Sequence, residues 1–179
     1  LQEQGDIDAA IETCRKALTL DPNHVGARSC LLFALNYHPD KSAEEIFAAY
    51  VDYDERLGLP HCGSWRTHDN DRNTARRLKV GYVSPDFNHH PVRHFLEPLL
   101  ANHDKAAVEV YAYAELAQED AVTARYRACV DHWIPTRGSS DTALAERIRD
   151  DKIDILVDLA GQTMNNRLGA FARKPAPVS

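Results

Sequence analysis

The chain has 179 residues, with 21 lysine and arginine residues against 27 aspartate and glutamate residues, giving a formal net charge of −6. Its hydrophobic fraction of 44% and charged fraction of 27% predict a folded protein of one or two domains and exclude low-complexity and collagen-like classes. An acidic chain with no stripe of lysine or arginine argues against nucleic acid or an anionic membrane as the main partner. No apolar run approaches the ~20 residues of a membrane span and no signal region opens the chain, so we expect a cytoplasmic protein.

The cysteine and methionine positions add two expectations. The four cysteines are widely separated and form no Cys-x-x-Cys pair, which favours reduced, structural thiols over a metal site. The sequence starts at Leu1 in the middle of a helical pattern, and Met164 is its single methionine. We therefore expect a piece of a longer protein.

The first 24 residues have the pattern of a helical repeat. Small and apolar residues recur at helical spacing, so that Ala10, Cys14, Ala17 and Leu18 share one face. Pro22 ends this helix after Leu20. Gly5, the alanine spacing and the Asp-Pro-Asn turn together resemble a tetratricopeptide repeat (TPR), in which small residues let paired helices approach closely. Because one repeat cannot bury its own face, we expect further repeats upstream.

A second helical pattern and a polar stretch follow. Ser42 and Glu45 have the spacing of a capping box and predict a helix that continues to about Leu57. Residues 61–77 are polar, with His61, Trp65 and His68 among them, and read as a solvated linker. This division predicts a TPR and transitional-helix region at 1–60, a linker at 61–77 and a lobe at 78–179.

The remainder alternates strands with helices. The predicted strands are residues 78–84, 108–113, 132–134 and 153–159. The predicted helices are residues 92–101, 121–130 and one capped by Ser139 or Ser140. This alternation predicts βαβ units and a parallel sheet, hence an α/β Rossmann-like lobe. No Gly-x-Gly-x-x-Gly or Gly-Lys-Ser/Thr motif follows a strand, which argues against a self-contained dinucleotide or ATP site.

Polar residues concentrate where the first strand ends. The segment from Ser84 to His94 contains three histidines, one aspartate and one arginine. Parallel sheets bind ligands beyond the carboxyl ends of their strands. Pro91 suits the first position of a helix, which predicts His90 as its N-cap. An imidazole placed there could orient an acceptor hydroxyl, take its proton or donate to a bound phosphate.

Other interpretations of these residues stay open. Asp86, His90 and His94 could bind a metal ion, since residues four apart share a helix face. The same side chains could merely cap the helix. Gln162 and Thr163 follow the last strand and offer polar groups at the same predicted edge, although an ordinary loop would have the same composition.

Several segments in a fixed order identify a resemblance. After the repeat come Leu31–Pro39, the segment Val80–Phe87 with the pair His90-Pro91 and His94, and then Asp154–Gly161 and Phe171–Val178. Together they resemble the O-linked N-acetylglucosamine transferases, a family of protein glycosyltransferases that includes Spindly-like members. The order of these motifs is more specific than any one of them.

The resemblance implies the N-terminal half of a GT-B fold, with the TPR region presenting protein acceptors. It implies inverting transfer from UDP-N-acetylglucosamine to Ser or Thr hydroxyls, with no metal ion or other cofactor. His90 matches the family's active-site histidine, and Asp86 and His94 match neighbouring motif positions. Gln162 stands where a histidine or tyrosine is expected.

The resemblance also implies a second lobe that supplies most nucleotide contacts. We therefore expect residues 1–179 alone to be inactive, to bind UDP weakly or not at all, and to be poorly soluble. Two alternative functions remain: a Spindly-type O-fucosyltransferase using GDP-fucose, and a non-enzymatic TPR scaffold that binds proteins.

Overall fold

The computed structural model describes residues 5–179, which divide into two compact units. The helical unit contains the residues up to Gly63 together with Gln162–Met164. The α/β unit contains Ser64–Gly161 and Asn165–Ser179. Within the described range, no helix is both long and apolar enough to cross a bilayer.

Three helices form the helical unit. They are α1 (Ile7–Leu20), α2 (Val25–Tyr37) and α3 (Ala43–Tyr53), followed by a π-helical turn (Asp54–Gly58) and a 3-10 helix (Leu59–Ser64). Asp6 caps α1, and α1 ends before Pro22 as predicted. The capping box of Ser42 and Glu45 is confirmed, since each side chain bonds the other's backbone amide. Packing of α1 against α2 buries Ile11, Ala34 and Leu35.

The α/β unit is built on one four-stranded sheet. Its elements are β1 (Leu78–Ser84), α4 (Arg93–Ala101), β2 (Val108–Ala114), α5 (Ala121–Cys129), β3 (His132–Pro135), α6 (Asp141–Asp150), β4 (Ile155–Asp158) and α7 (Leu168–Phe171). All strand pairs are parallel, in the order β3-β2-β1-β4. The predicted parallel sheet is therefore confirmed, and the last strand is shorter than the predicted 153–159.

Helices cover both faces of this sheet. One core contains β1 and β2 residues such as Val80 and Val110 with Leu100 of α4 and Tyr126 of α5. The other core contains side chains of the opposite face with α6 and α7, including Val83, Tyr113, Leu144, Ile148 and Ala170. β1 passes through the centre, where a Cβ at Gly81 would lie 3.0 Å from both Leu156 Cδ1 and Tyr113 Cε2. Only glycine leaves room for this close packing.

The segment predicted as a solvated linker packs on the α/β unit instead. The Trp65 indole donates to the Ala172 carbonyl at 2.8 Å, and the Asn70 amide donates to the Ile153 carbonyl at 3.1 Å. Arg76 reaches the buried carboxylate of Asp154. Polar residues that look solvated in the sequence thus satisfy backbone and charged groups of the sheet.

Candidate active site at the carboxyl edge of the sheet

The candidate site lies where β1 and β4 end. These strands are neighbours, and Val83 of β1 pairs with Asp158 of β4. Because both strands are parallel, the segments that follow Ser84 and Asp158 leave the same edge of the sheet. This is the edge at which open α/β sheets bind ligands.

Helix α5 holds the loop that follows β1. The Thr123 hydroxyl donates to the Phe87 carbonyl at 2.8 Å, and the His89 amide donates to the Asp120 carboxylate at 2.7 Å. The Phe87 side chain is fully buried, with the rings of Tyr126 and Trp133 each 5.4 Å from its own. Asp120 also caps α5, so one side chain ties the helix to the loop. These contacts hold the backbone of the loop in place beside its exposed residues His89 and His90.

His90 lies in this loop, but it is not the N-cap predicted for it. Helix α4 begins at Arg93, with Val92 in the cap position, and Pro91 precedes the helix. A tight turn occupies residues 90–93, in which the Arg93 amide donates to the His90 carbonyl at 3.0 Å. The Val92 amide, the first available donor after proline, donates to His90 Nδ1 at 3.3 Å. This hydrogen bond orients the His90 ring within the turn to which His90 belongs.

Asp86 is the charged partner of His90. Its Oδ2 lies 3.8 Å from His90 Nδ1, which is too long for a hydrogen bond, and the two groups attract each other when the ring is protonated. The Asp86 amide donates to the Ser84 hydroxyl at 2.9 Å. Burial raises the pKa of the Asp86 carboxyl, and a positive charge on His90 opposes that rise. The structure thus brings Asp86 and His90 together as an interacting pair.

His94 is exposed in the first turn of α4. Among residues 5–179, no group of three or more His, Cys, Asp or Glu side chains has the arrangement of a metal site. The proposed ligand set of Asp86, His90 and His94 is therefore not assembled in the described structure.

Gln162 and Thr163 lie in the turn after β4, and both belong to the helical unit. The Gln162 Oε1 atom is buried without a hydrogen-bond partner, while Thr163 is exposed. Gly161 has a φ of +56°, so the turn predicted from this glycine is present.

Asp158 is a candidate that the sequence analysis did not select. Burial raises the pKa of its carboxyl, and the amides of Ala160 and Gly161, which donate at 3.2 and 2.7 Å, oppose that rise. A carboxyl group with a raised pKa at a ligand-binding edge is a candidate general base. The signal in the sequence was an aspartate that closes an otherwise apolar strand.

A second polar cluster that the sequence did not reveal lies beyond β2 and β3. The buried Arg167 guanidinium bonds the carboxylates of Glu115 and Asp141 and the Ser139 carbonyl. The Thr136 hydroxyl donates to Glu115 at 2.7 Å. An open groove of about 560 Å³ runs over these residues. The carboxyl edge thus offers charged groups along its whole length.

Comparison with known proteins agrees with this architecture. The family model described as glycosyl transferase family 41 matches residues 24–179. The probable UDP-N-acetylglucosamine–peptide N-acetylglucosaminyltransferase SPINDLY of Oryza sativa is 36% identical over 94% of this chain and 18% of its own length. The same probable enzyme from Arabidopsis thaliana is 37% identical over 89% of this chain and 18% of its own length.

A solved structure is similar over nearly the whole chain. A mutant of the Thermobaculum terrenum O-GlcNAc transferase superposes with a TM-score of 0.89 and 38% identity, covering 97% of this chain and 33% of that one. The chain therefore spans about a fifth of the curated relatives and a third of the solved transferase. With a family model matched from the second helix to the last residue, the chain belongs to glycosyltransferase family 41.

Proposed function

We propose that this chain forms part of a protein O-glycosyltransferase, which transfers N-acetylglucosamine from UDP-N-acetylglucosamine to Ser or Thr hydroxyls. The relatives are named for transfer from that donor to peptides. The observation that carries the proposal is the Asp86–His90 pair at the carboxyl edge of β1, within the lobe that superposes on a solved O-GlcNAc transferase.

The hydrogen bond at Nδ1 defines what His90 can do. Because Nδ1 accepts the Val92 amide, a neutral His90 ring carries its proton on Nε2. In this tautomer His90 donates a hydrogen bond, to the acceptor hydroxyl or to a phosphate of the donor. It orients or stabilises charge rather than taking a proton.

The proton of the acceptor hydroxyl then needs a carboxylate. Burial raises the pKa of both Asp86 and Asp158, which brings these carboxyl groups closer to the neutral range where a base is effective. Asp158 is the last residue of β4, the strand beside β1. We assign His90 the donor role and one of these carboxylates the base role.

The wider assignment extends this proposal. The α1–α2 hairpin is the last repeat of a TPR array that binds protein acceptors, followed by the N-terminal Rossmann-like lobe of a GT-B enzyme. Gln162 and Thr163 contact substrate from their turn, as do Asp86 and His94. The reaction uses no metal ion and takes place in the cytoplasm.

Variants of His90 in the full-length protein test the proposal. His90→Ala should lower peptide glycosylation by about 10²- to 10⁴-fold with peptide affinity unchanged, the usual loss for a positioned catalytic group. His90→Gln should retain more activity than His90→Ala, because its amide nitrogen can replace the Nε2 donor. Equal loss in both variants would assign His90 the base role instead.

His89→Ala is the matched control, since His89 is exposed and holds the loop through its backbone amide. It should glycosylate peptide at the unmodified rate. UDP-N-acetylglucosamine and GDP-fucose should be assayed in parallel. Transfer from GDP-fucose alone would replace the donor proposed here, and unchanged transfer by His90→Ala would remove His90 from the reaction.

A further inference from the structure

A second cleft lies at the opposite edge of the sheet from the candidate active site. It forms where α6 ends and the chain enters β4, and the segment after Trp65 closes it. The cleft measures about 390 Å³ and is lined in part by Arg66, His68, Asp69, Glu146, Arg149 and Lys152. All of these residues belong to the α/β unit.

Arg149 brings a nitrogen without an acceptor into this cleft. Its side chain is 15% exposed, and its Nη2 donates to the carbonyls of Arg173 and Lys174. Its Nη1 lies 3.4 Å from Glu146. The remaining Nε atom is buried and has no hydrogen-bond partner. Because a guanidinium nitrogen only donates, this position calls for an oxygen acceptor.

His68 adds a second such atom. Its Nε2 is buried and has no hydrogen-bond partner. Burial lowers the pKa of the His68 ring, and the positive charges of Arg149 and Lys174 lower it further, while Asp69 opposes them. A neutral ring can still donate from Nε2, so it can share an acceptor group with Arg149.

Two of the three carboxylates that line the cleft are engaged by cations, and Asp150 is the third. Lys152 bonds both oxygens of Asp69, and Arg66 bonds both oxygens of Glu146. Arg149 and Lys174 are the positive charges that act on His68 beyond those pairs. Two buried nitrogens without acceptors, beside the positive charges of Arg149 and Lys174, favour a bound oxyanion.

We propose that this cleft binds a phosphate or carboxylate group between Arg149 Nε and His68 Nε2. The site is separate from the Asp86–His90 pair because it lies where β4 begins rather than where it ends. Its ligand is a small anion or the anionic group of a larger molecule. The proposal does not depend on the glycosyltransferase reaction.

Titration of the full chain with inorganic phosphate tests the proposal, with ionic strength held constant by sodium chloride. The His68 ring resonances in an NMR spectrum should shift saturably, and the pKa of His68 should rise because the anion stabilises the protonated ring. His68→Phe should weaken phosphate binding by about tenfold or more, the loss expected for a hydrogen bond to a charged group. His68→Gln should retain most of the affinity through its amide nitrogen.

Arg149→Met should abolish the response, provided that a cooperative melt shows the variant folded. His89→Phe, an exposed histidine at the other edge, is the matched control and should bind phosphate like the unmodified chain. Acetate tested in parallel separates a phosphate site from a carboxylate site. A shift no larger than that caused by chloride, or equal affinity in the unmodified chain and His68→Phe, would overturn the proposal.

Discussion

Asp154 shows at the residue scale how a buried charge organises the α/β unit. Its side chain is 9% exposed, and its two oxygens accept from Arg76, from the Lys79 amide at 2.9 Å and from Asn70 at 2.8 Å. Burial by itself would raise the pKa of Asp154, but these partners hold it below the ordinary 3.8. The charged form is therefore the one that stabilises the fold.

Asp154→Asn should lower the free energy of unfolding at pH 7 by about 3 kcal/mol, because it leaves the Arg76 guanidinium without its carboxylate. A folded-state pKa below the unfolded value gives stability that is complete above 3.8 and lost as the pH falls through the lower pKa. The difference between unmodified chain and variant should therefore narrow below about pH 4. Urea unfolding at several pH values measures this difference in the free energy of unfolding.

Asp71→Asn is the control for this experiment. The Asp71 side chain is 67% exposed and lies 3.9 Å from the same arginine, so its removal should cost less than about 0.5 kcal/mol. A loss in Asp154→Asn that stays constant from pH 7 to pH 3 would contradict the assigned ionisation.

The sequence located His90 and Asp86 because they follow a β-prone segment in a cluster of polar residues. It placed the N-cap of α4 at His90, two residues before the observed N-cap Val92, since proline fits both the first helical position and the turn that precedes a helix. Asp158 was read as part of its strand, because its burial and its pKa depend on neighbours distant in sequence. The sequence showed which residue types lie at the site, but it did not show which of them have a shifted pKa.

At the scale of elements, α5 supports the loop of the candidate site. Thr123 is 1% exposed, and its hydroxyl donates to the Phe87 carbonyl while accepting from the Asp120 amide at 3.1 Å. Only two residues separate Phe87 from His90, so the position of the histidine depends on a helix more than thirty residues later in the chain. The helix therefore acts as a positioning element.

Thr123→Val should lower the free energy of unfolding by about 1 to 3 kcal/mol, because the buried Phe87 carbonyl loses its donor. Thr123→Ser should restore most of this stability. The amides of residues 88–90 should also exchange faster with solvent in Thr123→Val, since their loop is released from α5. Thermal unfolding and hydrogen exchange measure both effects.

Thr13→Val is the matched control, because Thr13 lies exposed on α1 and bonds only its own helix among the contacts described. It should change stability by less than about 0.5 kcal/mol. Unchanged exchange at residues 88–90 in Thr123→Val would show that α5 does not hold the loop.

The sequence predicted the ends of helices best where a capping side chain or a proline sets them. Two helices begin where a side chain accepts from a backbone amide, at Ser42 with Glu45 and at Ser140. Helix α1 ends just before Pro22, whose ring blocks further helix. β4 is shorter than its apolar run, because Asp154 precedes it and bonds other elements. An apolar sequence does not by itself distinguish a residue that is hydrogen-bonded in a strand from one that is only buried.

At the scale of the whole molecule, the chain covers a third of a solved transferase. Residues 1–179 should not bind UDP at micromolar concentration, because the family resemblance places most nucleotide contacts in a second lobe. The sequence also has no glycine-rich phosphate loop of its own. Isothermal calorimetry with UDP measures this directly, with UMP, which lacks the second phosphate, as the control.

Saturable heat with UDP and none with UMP would show that this lobe carries a nucleotide site by itself. Equal weak heats from both ligands would agree with anion binding at the cleft of Arg149 and His68. The two nucleotides thus separate the transferase prediction from the oxyanion proposal.

The sequence by itself determined the helical hairpin, the parallel α/β sheet, the family and the place of the Asp86–His90 segment. The helices and strands follow from periodicity and capping, which are local properties of the chain, and the family follows from the resemblance of its ordered motifs. Only the tertiary structure decided that Asp154 is buried and charged, that α5 holds the loop of His90, and that residues 66–70 line a cleft. The physical reason is that burial and the pairing of polar groups depend on residues brought together from distant positions, which local patterns do not encode.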